Sequence, residues 1–194
     1  MADGFFHGAD KAKDIEKRLF SALEKALSHG AHDFRYPSLI THGFEYPQAR
    51  TVVLRAVDKT HKKLYFYTDR RSDKVQQIKQ SPKVGLHFYH REKKMQLRLG
   101  GELSVFYSGA LWDKHFQSLP TSRYSEYSTI LAPGENIENP EAPYAVQTDL
   151  ARENFALLQF SVEKMEVLQL NGDHHYRIQF NYRGREFTSA WLQP

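Results

Sequence analysis

The sequence predicts a mainly β protein: an antiparallel barrel, closed or nearly closed, with a few peripheral helices. Three observations carry that prediction. Short β-rich runs crowd the first half, at 34–41, 51–57, 64–68, 84–89 and 95–106, which is the rhythm of sheet building. Four more follow at 156–161, 165–170, 174–182 and 186–192, and Asn171-Gly172 and Arg183-Gly184 supply turns between them. Helical patterns are few and short, so they sit around the sheet instead of alternating with its strands.

In chain order, Ile15, Leu19, Leu23, Ala26 and Leu27 recur at steps of three and four, with Asp10 placed to cap the start and Gly30 to end it. This spacing predicts an amphipathic helix over 11–29, within the segment 10–30. Ser72 can cap a helix through "DKVQQIKQ" that Pro82 stops, and "SGALWDKHFQSL" at 108–119 carries helical spacing before Pro120. Residues 120–143 hold prolines at 120, 133, 140 and 143 and read as a long ordered loop, of a length that is usually functional. A further short helix ends near Phe155. With no internal repeat, 194 residues at 40% hydrophobic predict one domain over 1–194.

Composition removes several classes of function. Zero cysteines exclude disulfides, thiolate metal sites, Fe–S clusters and cysteine nucleophiles. There is no apolar leader and no run of about 18 apolar residues, so neither secretion nor membrane spanning is expected, and the protein is expected to be cytoplasmic. Neither GxGxxG, GxxxxGK nor GxSxG occurs. The ten histidines show no HxxxH or HExxH spacing, and the adjoining His174 and His175 point to opposite faces of a strand, so no metal site is expected.

The net charge of +4 hides a strong asymmetry, because residues 50–98 hold 14 Lys/Arg against 4 Asp/Glu. Such an excess attracts an anion, either a phosphate-bearing small molecule or a nucleic-acid backbone. In "LYFYTDRRSDKV", residues 64–75, an apolar strand breaks into a dense group of cations and hydroxyls. With the strand ending at Thr68 and a helix starting near Ser72, first-turn N–H groups, the helix dipole, the serine hydroxyl, Arg71 and Lys74 converge on one spot. That is an anion site, most naturally for phosphate. In "RTVVLR", alternation puts Arg50 and Arg55 on opposite faces, so an undistorted strand cannot aim both at one ligand. "MQLRLGGEL" puts Gln96 and Arg98 on one face, and Gly100-Gly101 invites a bulge. Gln96 can offer a donor and an acceptor to a planar heterocycle.

Taken together and in this order, "ARTVVLR" (49–55), "LYFYTDRRSDK" (64–74), "SPKVGLHFY" (81–89) and "MQLRLGGEL" (95–103) resemble the pyridoxamine 5′-phosphate oxidase-like flavoproteins, the FMN-binding split barrels. The loop at 120–137, the segment 154–170 and the ending "WLQP" are similar to the oxidase-related branch of that family. The resemblance implies a homodimer with FMN held at the subunit interface. It places the FMN phosphate and ribityl contacts on Arg50, Tyr67, Thr68, Arg71, Ser72 and Lys74. Backbone from Thr51 through Val52 to Val53 runs along the ring, Gln96 reaches the ring's polar edge, and Arg177 comes from the neighbouring subunit. It also implies departures: Arg55 stands where the vitamin-making enzyme has a lysine, Leu119 where it has a substrate arginine, and Asp73 where it has an arginine. A leucine cannot replace a charge-assisted phosphate clamp. Poor activity on pyridoxine or pyridoxamine phosphate is therefore expected, with Arg55, Arg123 and Tyr124 building a different substrate pocket.

The leading expectation is an FMN-dependent oxidoreductase acting on a small molecule, with no amino-acid nucleophile or general base required. The alternative is a flavin carrier or sensor without turnover. A nucleic-acid-binding barrel is disfavoured, because the cations cluster at strand ends instead of repeating along an aromatic platform.

Overall fold

A computed structural model describes residues 5–43, 45–141, 145–172 and 174–194. The last residues of the expected 120–143 loop, 142 and 143, lie outside the described residues. Among the described residues, nine antiparallel strands form one sheet: β1 (Ser38–His42), β2 (Pro47–Thr51), β3 (Leu54–Asp58), β4 (Lys63–Asp69), β5 (Lys83–His90), β6 (Met95–Phe106), β7 (Phe155–Gln169), β8 (Tyr176–Arg183) and β9 (Glu186–Leu192). Their order is β2-β1-β5-β6-β7-β4-β3, with β8 attached to β7 and β9 to β8. The α-helices of the described residues are α1 (Ala12–Lys25), α2 (Asp73–Gln80), α3 (Ala110–Gln117) and α4 (Leu150–Asn154).

The fifteen residues of β7 form the spine. Its first half, Phe155–Ser161, lies between β4 and β6, and its second half, Lys164–Gln169, lies between β8 and β6. The change of neighbour coincides with a register shift, where Gly100 faces Lys164 but Gly101 faces Val162. This is the bulge that Gly100-Gly101 predicts. A Cβ on Gly101 would sit 2.0 Å from the Ser161 carbonyl oxygen, so only glycine fits the crossing.

Two apolar clusters flank β4, which explains its continuous hydrophobic run. Leu64 and Phe66 join the barrel core with Leu39, Leu86, Leu99, Met165 and Phe180. Tyr65 joins Trp112 and Phe116 of α3 and Phe155 in a second cluster, with Tyr67 packed against it. Helix α1 buries Ile15, Leu19, Phe20 and Leu23, as its spacing predicts.

Several boundaries differ from expectation for identifiable reasons. The 51–57 run is two strands, because the chain leaves β1 at Thr51 and joins β4 from Leu54. The 34–41 run opens with a 3₁₀ turn at Asp33–Arg35. The expected break between 161 and 165 is the β7 bulge, where Glu163 points out to Lys83 instead of forming a turn. The 120–143 loop contains a 3₁₀ segment, Thr121–Tyr127. Asp10 does not cap α1 with its side chain; its Oδ2 accepts instead from the His7 N–H and from Arg18.

Candidate functional site

Alternation sends the last two residues of β4 to opposite faces. Thr68 ends the row of Leu64 and Phe66, and Asp69 ends the row of Tyr65 and Tyr67. Ser72 is the N-cap residue of α2, but its hydroxyl makes no capping bond and donates to the Asp69 carbonyl at 2.7 Å. Thr68 Oγ1 lies 3.3 Å from Ser72 Oγ, and Lys74 Nζ donates to Thr68 Oγ1 at 3.2 Å. With the Ser72 proton committed to Asp69, the chain of donation runs Lys74 to Thr68 to Ser72.

Arg50 reaches the same end of the barrel from β2. It donates to Thr41 Oγ1 at 2.5 Å and Gln77 Oε1 at 2.9 Å, and the Thr41 hydroxyl donates to Gln77 Oε1 at 2.6 Å. Burial lowers the proton affinity of Lys74 and the nearby Arg50 charge adds to that, partly offset by Asp69 and Asp73. Burial lowers that of Arg50 as well, partly offset by Asp73. Among the described residues neither half-buried cation makes an ion pair, and Asp69 and Asp73 offset their charges only in part, a field that favours an anion.

Arg71 belongs to the other face. Its Nε and Nη2 donate to Asp69 Oδ1 and Oδ2 at 3.0 and 2.7 Å, and its remaining donors reach carbonyls of the long loop. The hydrogen bonds and charge of Asp69 hold the guanidinium above the usual arginine value against the effect of burial.

Tyr67, expected beside Thr68, instead points to α3, where its hydroxyl lies 3.0 Å from His115 Nδ1. Arg55 stands over the Tyr67 ring, 5.5 Å from its centroid, and its buried Nε has no hydrogen-bond partner. Burial lowers the Arg55 proton affinity, with Arg123 the next cause. Tyr127, whose phenol is pushed up to about 12 mainly by burial, interacts electrostatically with both arginines. Arg123 pairs with Glu126 at 2.7 Å, and Tyr124 packs on Phe116. Arg55, Tyr67, Arg123 and Tyr124 thus form a second group, separate from Arg50 and Lys74, because Arg50 lies on β2 and Arg55 on β3 and not on opposite faces of one strand as expected.

Gln96 and Arg177 lie in a third place. Cross-strand register aligns Thr51, Ser38, His87, Arg98 and Glu166 in one row, and Tyr89, Gln96, Leu168 and Arg177 in another on the same face. Arg98 and Arg177 share the buried Glu166 carboxylate, Arg177 at 2.8 Å. Burial pushes that carboxyl up, but the two arginines outweigh it and hold it below the usual glutamate range. Thr68 pairs with Ala156 and Gln96 with Leu168, so the two ends are roughly 40 Å apart along the path of β7. Val52 and Val53 form the extended link between β2 and β3, with the Val52 N–H donating to the Pro37 carbonyl.

Thr41, Gln77, Asp69, His115, Tyr127 and Glu166 are the site-forming residues that the sequence reading missed. Gln77 was detectable as a buried polar position inside an amphipathic helix, but Thr41 and Tyr127 carry no local signal. Two open cavities lie away from the Lys74 group. One of about 650 Å³ lies between α1 and the β5–β6 turn, and one of about 790 Å³ lies along the long loop. The uncompensated cations identify the candidate anion site better than these concavities do, because an anion needs charge before volume. No group of three or more metal-ligating side chains occurs, and no helix is long and apolar enough to cross a membrane, among the described residues.

The family model for the pyridoxamine 5′-phosphate oxidase FMN-binding domain matches residues 16–107. Pyridoxine/pyridoxamine 5′-phosphate oxidase of Thermosynechococcus vestitus (strain NIES-2133 / IAM M-273 / BP-1) is 33% identical over 154 residues, covering 69% of this chain and 72% of that relative. The chain belongs to the pyridoxamine 5′-phosphate oxidase-like family of FMN-binding proteins. FMN, the cofactor expected from the sequence, is the cofactor of this family. Two solved structures share the fold. A pyridoxamine 5′-phosphate oxidase-related FMN-binding protein from Nostoc punctiforme PCC 73102 has a TM-score of 0.72 at 21% identity, covering 96% of this chain and 100% of its own. PhzG from Burkholderia lata 383, solved with tetrahydrophenazine-1-carboxylic acid, has a TM-score of 0.72 at 15% identity, covering 98% and 96%. The fold class is therefore that of the FMN-binding split barrels, mainly β and antiparallel.

Proposed function

We propose that this family member is an FMN-dependent oxidoreductase acting on a small molecule other than pyridoxine or pyridoxamine phosphate. The observation that carries the reading is the pair Lys74 and Arg50, half-buried, without a carboxylate partner among the described residues, and backed by the Thr68 and Ser72 hydroxyls. A phosphate fits that chemistry, since it would restore the charge that burial leaves uncompensated. FMN, when bound, supplies hydride acceptance and donation. The chain's own residues then bind, orient and exclude water. Lys74 and Arg50 would hold the phosphate, the Thr68 and Ser72 hydroxyls would donate to it by turning away from Ser72 Oγ and the Asp69 carbonyl, and the Val52–Val53 backbone would border the ring.

Gln96 and Arg177 lie in a different row of the sheet from Thr68, and we read a homodimer in which a second copy contributes Arg177. We read 1–194 as one such unit, cytoplasmic and without a membrane or nucleic-acid partner. The substrate pocket is assigned to Arg55, Arg123 and Tyr124. The unpaired, buried Arg55 Nε favours an anionic group on the substrate, and Leu119, buried against α3, offers no charge to a second one. Flavin carriage without turnover is the second reading.

The test is direct. Purified protein mixed with FMN is expected to turn yellow on desalting, and NADH, NADPH or an amine panel is expected to bleach it under anaerobic conditions. A colourless protein that leaves FMN fluorescence unquenched overturns both readings. Bound flavin that no reductant or substrate bleaches supports the carrier.

A further inference from the structure

Arg71 looks from sequence like a phosphate ligand, but its own chain occupies its guanidinium. One edge of the planar fork binds the Asp69 carboxylate in a bidentate pair, and Asp69 Oδ1 also accepts the Arg71 backbone N–H at 2.8 Å. The Asp69 side chain is 5% exposed, which keeps the pair short of solvent screening. The other edge donates to two consecutive carbonyls of the long loop, Thr129 at 3.0 Å and Ile130 at 2.9 Å, with Thr129 Oγ1 at 3.3 Å. The same stretch of loop is fixed from its far side, where the Ile130 N–H donates to the Ala145 carbonyl and Thr129 bridges Val146. Four residues on, Gly134 passes α2, where a methyl group would lie 4.0 Å from Asp73 Oδ2. Asp73 is the first residue of α2, next to Lys74.

We propose that Arg71 is a positioning residue: it ties loop residues 129–134 to the strand end and to the first turn of α2, so that the loop forms a wall of the phosphate site. The tether rests on the contacts above, whereas the identity of the neighbouring anion as the FMN phosphate rests on the proposed function. Arginine suits this work because one planar fork serves a carboxylate and two carbonyls together, which the point charge of lysine cannot do. The two roles separate under substitution. A phosphate ligand is largely replaced by lysine, while a fork is not.

The experiment compares Arg71→Lys, Arg71→Ala, Asp69→Asn and Lys74→Ala with the wild-type chain by limited proteolysis without flavin and by titration with FMN and riboflavin. Arg71→Lys and Asp69→Asn are expected to speed cleavage within 129–141 several-fold and to weaken FMN and riboflavin by the same factor. Lys74→Ala is expected to weaken FMN alone and leave cleavage unchanged. The proposal is overturned if Arg71→Lys binds FMN as the wild type does while Arg71→Ala loses FMN selectively with cleavage unaltered. If the wild-type chain binds neither flavin, the functional reading falls, and the cleavage rates by themselves decide the tether.

Discussion

Two cationic regions, both drawn from the basic segment 50–98, have opposite electrostatic fates. On the outer face of the sheet, Arg98 meets Glu166, which also takes Arg177. Nearby cations find the same kind of partner: Lys62 pairs with Glu16, Lys83 with Glu102 and Glu163, and Arg91 with Asp33. At the end of β4, Lys74 and Arg50 face each other with hydroxyls and an amide instead of a carboxylate, and burial lowers the proton affinity of both. The lesson is that a count of basic residues does not locate an anion site. Compensation across the fold does, and the carboxylates responsible come from residues 16, 33, 102, 163 and 166, all outside the segment.

The largest effect is expected at the buried pair of Lys62 and Glu16, whose side chains are only 13% and 8% exposed. Glu16→Gln leaves the Lys62 charge stranded beside Phe20 and is expected to cost about 3 kcal/mol or more in urea denaturation. A cost below about 1 kcal/mol would show that Lys62 escapes to water and that compensation there is unimportant.

Lys74→Met tests the opposite case. Removing an uncompensated cation is expected to raise the stability of the flavin-free chain while weakening FMN roughly ten- to hundredfold, with riboflavin little changed. The pH sign follows from the lowered pKa. Folding disfavours charged Lys74, so the flavin-free wild type gains stability as pH rises through that lowered value toward about 10.4, where the unfolded chain also loses the proton. The variant lacks this alkaline gain. Over the same range FMN is expected to bind the wild type less tightly, because the cation it needs is being lost.

The smallest effect is expected from Glu166→Gln, because Arg98 is half exposed and water screens it. A loss of about 1 kcal/mol at neutral pH is expected. A carboxylate held below its ordinary range contributes stability above about pH 4.3 and loses it as pH falls, so wild type and variant should converge in acid. Denaturation curves that remain apart at pH 2 would assign the effect to packing.

Much of the fold was legible because it depends on local period. The strand at 95–106, the bulge at Gly100-Gly101 and the helix after Ser72 are each written in residues that touch one another along the chain. The divided 51–57 run was not, since Val52 and Val53 look like any buried strand until the chain changes partner from β1 to β4. The uninterrupted β7 was not either, because the polar Glu163-Lys164 divides two apolar runs and becomes a bulge only where β8 replaces β4. At the candidate site, Thr68, Ser72 and Lys74 were visible as a polar strand end. Thr41 and Gln77, which orient Arg50, are 9 and 27 residues from it, a separation at which no sequence spacing signals contact.

By itself the sequence determined most of the strands and helices, the lack of thiol chemistry, and the motifs that place the chain in an FMN-binding family. Only the tertiary structure decided which cations stay uncompensated, that Tyr67 serves the α3 side with Arg55, and that Arg71 holds a loop. The physical reason is that hydrophobic period acts between near neighbours along the chain, whereas the energy of a charge is set by burial and by whichever partner the fold brings within a few ångströms.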